Sequence, residues 1–165
     1  MIGLKQVVVA TDFGEAAQAA LDYGREFART FGAKLVLLHV VDNVLMRPYA
    51  AEGYVATYPE LQREIESAAQ KQLDATLDED DRRTLNAEAI VLKSNNPAAA
   101  IVNYARDTDV DIVIMGTHGR GAVAHMLMGS VAERVVRTAP CPVLTVRHPE
   151  HEFIRPDALV AVARA

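Results

Sequence analysis

Five short apolar runs alternate with stretches of helical periodicity, and that alternation limits the fold of this chain more than any other feature. Lys5–Thr11 reads KQVVVAT and Ala33–Val41 reads AKLVLLHVV; further runs occupy Ala87–Leu92, Asp111–Met115 and Pro142–Val146. The apolar stretches are continuous rather than alternating, as expected of strands buried on both faces. Between the first two, Ala17, Ala20, Leu21, Gly24, Phe27, Ala28 and Phe31 recur at helical spacing, and Gly32 stands where a C-terminal cap belongs. Leu61, Ile65, Ala68, Ala69, Gln72 and Leu73 predict a second helix, opened by a Thr57/Glu60 capping box with Pro59 in its first turn. Asn96 caps a third before Pro97, with Ile101, Val102 and Ala105 inward. A Ser130/Glu133 capping box begins a fourth, with Val131, Val135 and Val136 inward. Strands that alternate with helices imply right-handed βαβ units. The expected fold is α/β: an open, Rossmann-like parallel sheet of five strands with helices on both faces.

The rest of the chain fits one domain. At 165 residues it can bury a continuous core, and 50% hydrophobic with 24% charged residues is ordinary for a globular protein. A net charge of −5 gives no electrostatic reason to expect nucleic acid as partner. The single Cys141 excludes an intrachain disulfide framework. MIGLKQVVVATDF enters a strand pattern at once, without a signal peptide's cleavage region. No apolar run approaches the ~20 residues that span a bilayer, so a cytoplasmic protein without membrane contact is expected. The domain is expected over residues 1–147, with 148–165 as a C-terminal tail. DEDDRR, Asp78–Arg83, reads as a solvated turn. The segment 42–58, with Pro48, Gly53 and three tyrosines, is long for a βα connection and reads as a lid or a mobile excursion.

The fourth strand runs into MGTHGRGAVAHMLMGS, Met115–Ser130. Gly116 and Gly119 stand three apart, nine residues follow, and Gly129-Ser130 closes the pattern before a helix. A glycine-rich turn between strand and helix admits a ligand close to the backbone, and the helix start offers unpaired N–H groups to an anion. In open α/β sheets ligands bind at the carboxyl ends of strands, where the winding reverses. If the first and fourth strands are neighbours, Thr11-Asp12 and Met115-Gly116 line one crevice. Asp12 would repel a phosphate and so fits a base or ribose, or else it caps the first helix or its turn. Ser130 can cap its helix or meet a phosphate. Arg120 can contact phosphate oxygens or stand in solvent. The chain contains no Gly-Lys-Ser/Thr and therefore lacks the usual lysine for a γ-phosphate.

Other chemistry is sparse. His39, in an apolar strand, reads as a satisfied core or strand-end histidine. His118 and His125 flank the glycine segment without metal-ligand spacing, and His148 and His151 are too little for a metal site. Cys141 between two prolines reads as a small buried hydrophobe rather than a nucleophile.

With that order of elements, the chain resembles the universal stress protein family over residues 4–147. The most specific matches are VVVATDF, MGTHGRG, GSVAERVVR and APCPVLTVR. Gly-x-x-Gly, nine residues, Gly-Ser marks the branch of that family that binds ATP. Gly116, Gly119, Gly129 and Ser130 match it residue by residue. The resemblance implies that the Gly119–Gly121 loop, with Arg120, and Gly129-Ser130-Val131 hold ribose and phosphates. It implies that Asp12 and Thr11 lie against the adenosine and that backbone near Val40-Val41 meets the adenine edge. It further implies strand order 3-2-1-4-5 and a homodimer joined along the fifth strand. Gly14 departs from the serine that members often carry there.

The leading expectation is therefore an ATP-binding dimer, with ATP or another adenine nucleotide as a regulatory ligand in stress adaptation. A second is slow ATP hydrolysis or phosphoryl transfer with Mg²⁺, disfavoured by the absent lysine. A third is a scaffold that recruits another protein without nucleotide.

Overall fold

The computed structural model of the chain describes residues 2–46, 58–118 and 128–148. Strands β1 (Gln6–Ala10), β2 (Lys34–Val41), β3 (Glu88–Lys93), β4 (Ile112–Gly116) and β5 (Val143–Val146) interleave with five α-helices. These are α1 (Glu15–Phe31), α2 (Tyr58–Thr76), α3 (Glu79–Thr84), α4 (Pro97–Asp107) and α5 (Ser130–Thr138). The strands form one sheet in the order β3-β2-β1-β4-β5, every pair parallel. Val8 sits in register with Val36 on one side and Val113 on the other. The expected Rossmann-like architecture is the observed one.

The period-2 alternation of each strand sorts the apolar runs into two cores. Val7, Val9, Leu35, Leu37 and Ile114 pack with Ala20 and Leu21 of α1 and Leu73 of α2. Val8, Val36, Leu38, Val113 and Met115 pack with Ile101 and Ala105 of α4 and Val135 of α5. Gly32 ends α1 in the left-handed conformation, φ 63°. Asn96 caps α4 by accepting from the Ala99 N–H at 3.2 Å.

Gly24 lies inside α1, where a Cβ would fall well within contact distance of the Val9 Cγ2 methyl. Helix propensity alone favours alanine there by about 1 kcal/mol. Forcing a methyl against a fully buried β-branched side chain costs about 1–3 kcal/mol. The clash wins. Gly24→Ala should therefore lower the urea midpoint, and a raised midpoint would contradict this packing of α1 on β1.

Three local expectations are corrected. Asp78–Arg83 is not a solvated turn: Asp78 caps α3 in a reciprocal box with Asp81, and Asp81 is fully buried. Composition hid this because the burial depends on Arg25, a residue of α1 distant in sequence. Near the start of α2 the inward residue is Gln62 rather than Leu61, which is 44% exposed. Gln62 accepts from the Val44 N–H at 2.9 Å and donates to the Asp42 carbonyl at 3.2 Å. It thus satisfies backbone groups that a leucine could not. In α5, Val136 is 46% exposed, and Ala132 and Val135 are the buried pair. The tail from residue 149 onward, the Thr57 cap and most of segment 42–58 lie outside the described residues.

Candidate functional site

The β1–α1 connection passes to one face of the sheet and β4–α5 to the other. The carboxyl ends of the adjacent β1 and β4 therefore open a crevice between diverging chains. A cavity of about 400 Å³ occupies it. Thr11, Asp12, Val40, Met115, Gly116, Gly129, Ser130 and Val131 all line it. Val41 does not; alternation along β2 turns its side chain to the opposite face, and its carbonyl accepts from Ser94 N–H at 2.9 Å. Gly119, Arg120 and Gly121 lie outside the described residues.

Backbone geometry decides which part of β2 faces the crevice. The Leu38 carbonyl accepts from Thr11 N–H at 2.9 Å, the last bond between β1 and β2. Two residues further on, Val40 presents its backbone groups to the same side, past the end of β1. A planar ligand edge could meet them there.

The turn after β1 is held by its own side chains. Thr11 Oγ1 accepts from Phe13 N–H at 2.9 Å, and Asp12 Oδ1 accepts from Gly14 N–H at 3.0 Å. Between them Phe13 adopts φ 64°, a left-handed conformation that costs a non-glycine residue about 1 kcal/mol. Asp12 therefore fixes the turn before α1 and lines the cavity as well. The helix cap proper is Gly14, which has no side chain to offer. His39 Nδ1 lies 2.7 Å from the Thr11 carbonyl, which can only accept, so Nδ1 carries the proton and donates. Its ring rests on Phe13, centroids 4.6 Å apart. This agrees with a satisfied strand-end histidine, yet His39 also lines the crevice.

On the β4 side, a Cβ on Gly116 would lie 2.9 Å from Ala16 Cβ and 3.0 Å from the Ala16 carbonyl carbon. Close passage of α1 over the strand end thus demands glycine there, whatever its role toward a ligand. Thr117 N–H donates to Val146 O at 2.8 Å, and Gly129 N–H to Thr117 O at 2.7 Å. These bonds pin the start of α5 to the ends of β4 and β5.

The cap of α5 is Gly129, not Ser130, and no side-chain cap bond forms. The Ser130/Glu133 box expected from sequence is absent because the helix takes Ser130 as its first residue. Glu133 instead donates its N–H to the Gly129 carbonyl at 2.9 Å and pairs with Arg137 at 3.0 Å. The Ser130 hydroxyl makes no hydrogen bond to another described residue. It is available to a ligand.

Pro97, Ile101, Thr117 and His118 also line the cavity, a placement the sequence reading did not assign to any of them. The signal for Pro97 was present: a helix that follows β3 must begin at the carboxyl edge of the sheet. Cys141 lies away from the crevice against the α4–α5 core, and burial pushes its thiol above the ordinary value. It is no activated nucleophile. Among the described residues no cluster of three His, Cys, Asp or Glu could hold a metal, and no helix is long and apolar enough to cross a membrane.

The model of the Universal stress protein family matches residues 3–147. The chain is 32% identical over 148 residues to Universal stress protein MJ0531 of Methanocaldococcus jannaschii, covering 90% of this chain and 85% of that one. It superposes on hypothetical protein MJ0577 of the same organism with a TM-score of 0.73 and 26% identity, over 91% of this chain and 100% of the other. A universal stress protein from Archaeoglobus fulgidus, solved in complex with dAMP, shares the fold at TM-score 0.54 and 22% identity, over 88% and 99% of the two chains. The sheet order, the crevice where β1 and β4 part, and a family match over nearly the whole chain agree: this protein is a member of the universal stress protein family.

Proposed function

We propose that this chain binds an adenine nucleotide, ATP in the first instance, in the crevice between β1 and β4, as a regulatory ligand in stress adaptation. The observation that carries the reading is the cavity itself. It combines an apolar floor, backbone groups of Val40 extending past β1, and an uncommitted Ser130 hydroxyl at the start of a helix. Such surfaces would suit a base, a ribose and a phosphate in turn. The dAMP complex of the structural neighbour supports an adenine ligand for the fold. In this reading Val40 serves the adenine edge, Thr11 and Asp12 the adenosine, and Gly116, Gly129, Ser130 and Val131 the ribose and phosphates, with Gly119, Arg120 and Gly121 from the glycine-rich segment. Mg²⁺ would enter with the phosphates.

The same reading takes the protein as a homodimer. β5 is an edge strand whose Val143, Leu144 and Thr145 are only half-buried. The exposed Val136 of α5 adds to the apolar surface of the protein. A second copy along β5 would cover the edge.

Titration of ATP by calorimetry tests the site. Wild type should bind, and Ser130→Ala should weaken binding about ten- to a hundredfold for one lost hydrogen bond to a charged group. Equal affinities would remove Ser130 from the site.

A further inference from the structure

A second cavity of about 300 Å³ adjoins the first and shares Pro97, Ser130 and Val131 with it. Its wall is completed by Asn95, Asn96, Ala98 and Arg134. The Asn95 side chain is committed through both its polar atoms and that of Asn96 through its oxygen. Asn95 exchanges bonds with the Asn43 backbone at 2.8 and 3.1 Å, and Asn96 caps α4. Arg134 is not committed: no acid or carbonyl accepts from its guanidinium among the described residues, while Glu133 beside it is taken by Arg137. Ser130 and Arg134 stand four residues apart in α5, so they share one helix face about 6 Å apart along the axis.

The charge balance makes this arrangement specific. The described lining of the main cavity contains Asp12 and no lysine or arginine. In a chain of net charge −5, a polyphosphate extending past Ser130 meets its first described cation at Arg134. A guanidinium presents a planar fork of N–H donors that matches phosphate oxygens.

We propose that the groove between α4 and α5 is a polyphosphate subsite and that Arg134 selects nucleoside di- and triphosphates over nucleosides and monophosphates. The inference rests on the nucleotide reading above and adds to it the part of the ligand that is discriminated. Arg134 is exposed, so its replacement should leave the fold intact, as circular dichroism will show.

The test is calorimetry on the full chain with adenosine, AMP and ATP, using wild type, Arg134→Gln and Arg134→Lys. Wild type should prefer ATP to adenosine. Arg134→Gln should weaken ATP about tenfold and leave adenosine unchanged, with Arg134→Lys between the two. Raising salt should shrink the ATP preference of wild type and leave adenosine binding unmoved. If wild type and Arg134→Gln discriminate ATP from adenosine equally, the subsite is overturned while the nucleotide reading stands. If wild type binds none of the three ligands, that reading fails and the subsite with it.

Discussion

Asp81→Ala should destabilise the protein by about 3–5 kcal/mol, the loss expected when one partner of a buried ion pair is removed. Asp81 is 0% exposed and accepts from Arg25 through Nε at 3.0 and 3.1 Å and through Nη2 at 2.7 Å. It also accepts from the Asp78 N–H at 3.2 Å, and Arg25 donates further to the Thr76 carbonyl. One carboxylate thus joins α1, the end of α2 and α3. Truncation strands a largely buried guanidinium and opens the α3 cap together. The exposed pair Arg82–Asp74, at 3.1 Å, is the control; Asp74→Ala should cost under about 1 kcal/mol.

The pH dependence of this pair has a definite sign. Burial pushes the Asp81 carboxyl up, but hydrogen bonds and charge from Arg25 outweigh it and hold the group below its ordinary value. A carboxylate depressed in the native state stabilises above its unfolded pKa of about 3.9, and that contribution is lost as pH falls through the native value. The stability gap between wild type and Asp81→Ala, followed by urea unfolding, should therefore narrow below about pH 4. A gap that stays constant into strong acid would show that the pair does not carry the difference.

Gly116→Ala is expected to damage stability and ligand binding together. Its Cβ would press on Ala16 Cβ, the Ala16 carbonyl carbon and Ala17 N at 2.9, 3.0 and 3.2 Å. Two of these atoms are backbone of the first turn of α1 and cannot rotate aside. Overpacking of this kind costs about 1–3 kcal/mol. Relief requires α1 to move off the end of β4, which shifts the Thr11–Gly14 turn on the opposite lip of the crevice. Thermal unfolding and nucleotide titration should both register the change. A variant of unchanged stability with abolished binding would assign Gly116 to ligand contact alone.

The sheet was legible because each strand carries its own signal, a continuous apolar run with glycine or asparagine at the helix borders. Gly32 and Asn96 perform the capping roles their residue types imply. The placement of Asp12 opposite Gly116 followed from topology once β1 and β4 were neighbours. What could not be read depends on partners remote in the chain. The acidic run 78–83 looks solvated until Arg25 is brought to it, and Gln62 looks like a surface residue until Asp42 and Val44 need its amide. Ser130 resembles a cap in sequence, but the helix starts one residue earlier and leaves its hydroxyl uncommitted. Gly116 shows a different ambiguity. Its spacing in the sequence reads as that of a ligand loop, while its surroundings show that packing alone requires glycine.

The nucleotide content of the purified, undialysed protein tests the central claim most directly. Denaturation should release an adenine nucleotide, approaching one per chain, and protein stripped of it should take up ATP again. Protein that releases no nucleotide and gives no binding signal with millimolar ATP would contradict the assignment of the β1–β4 crevice.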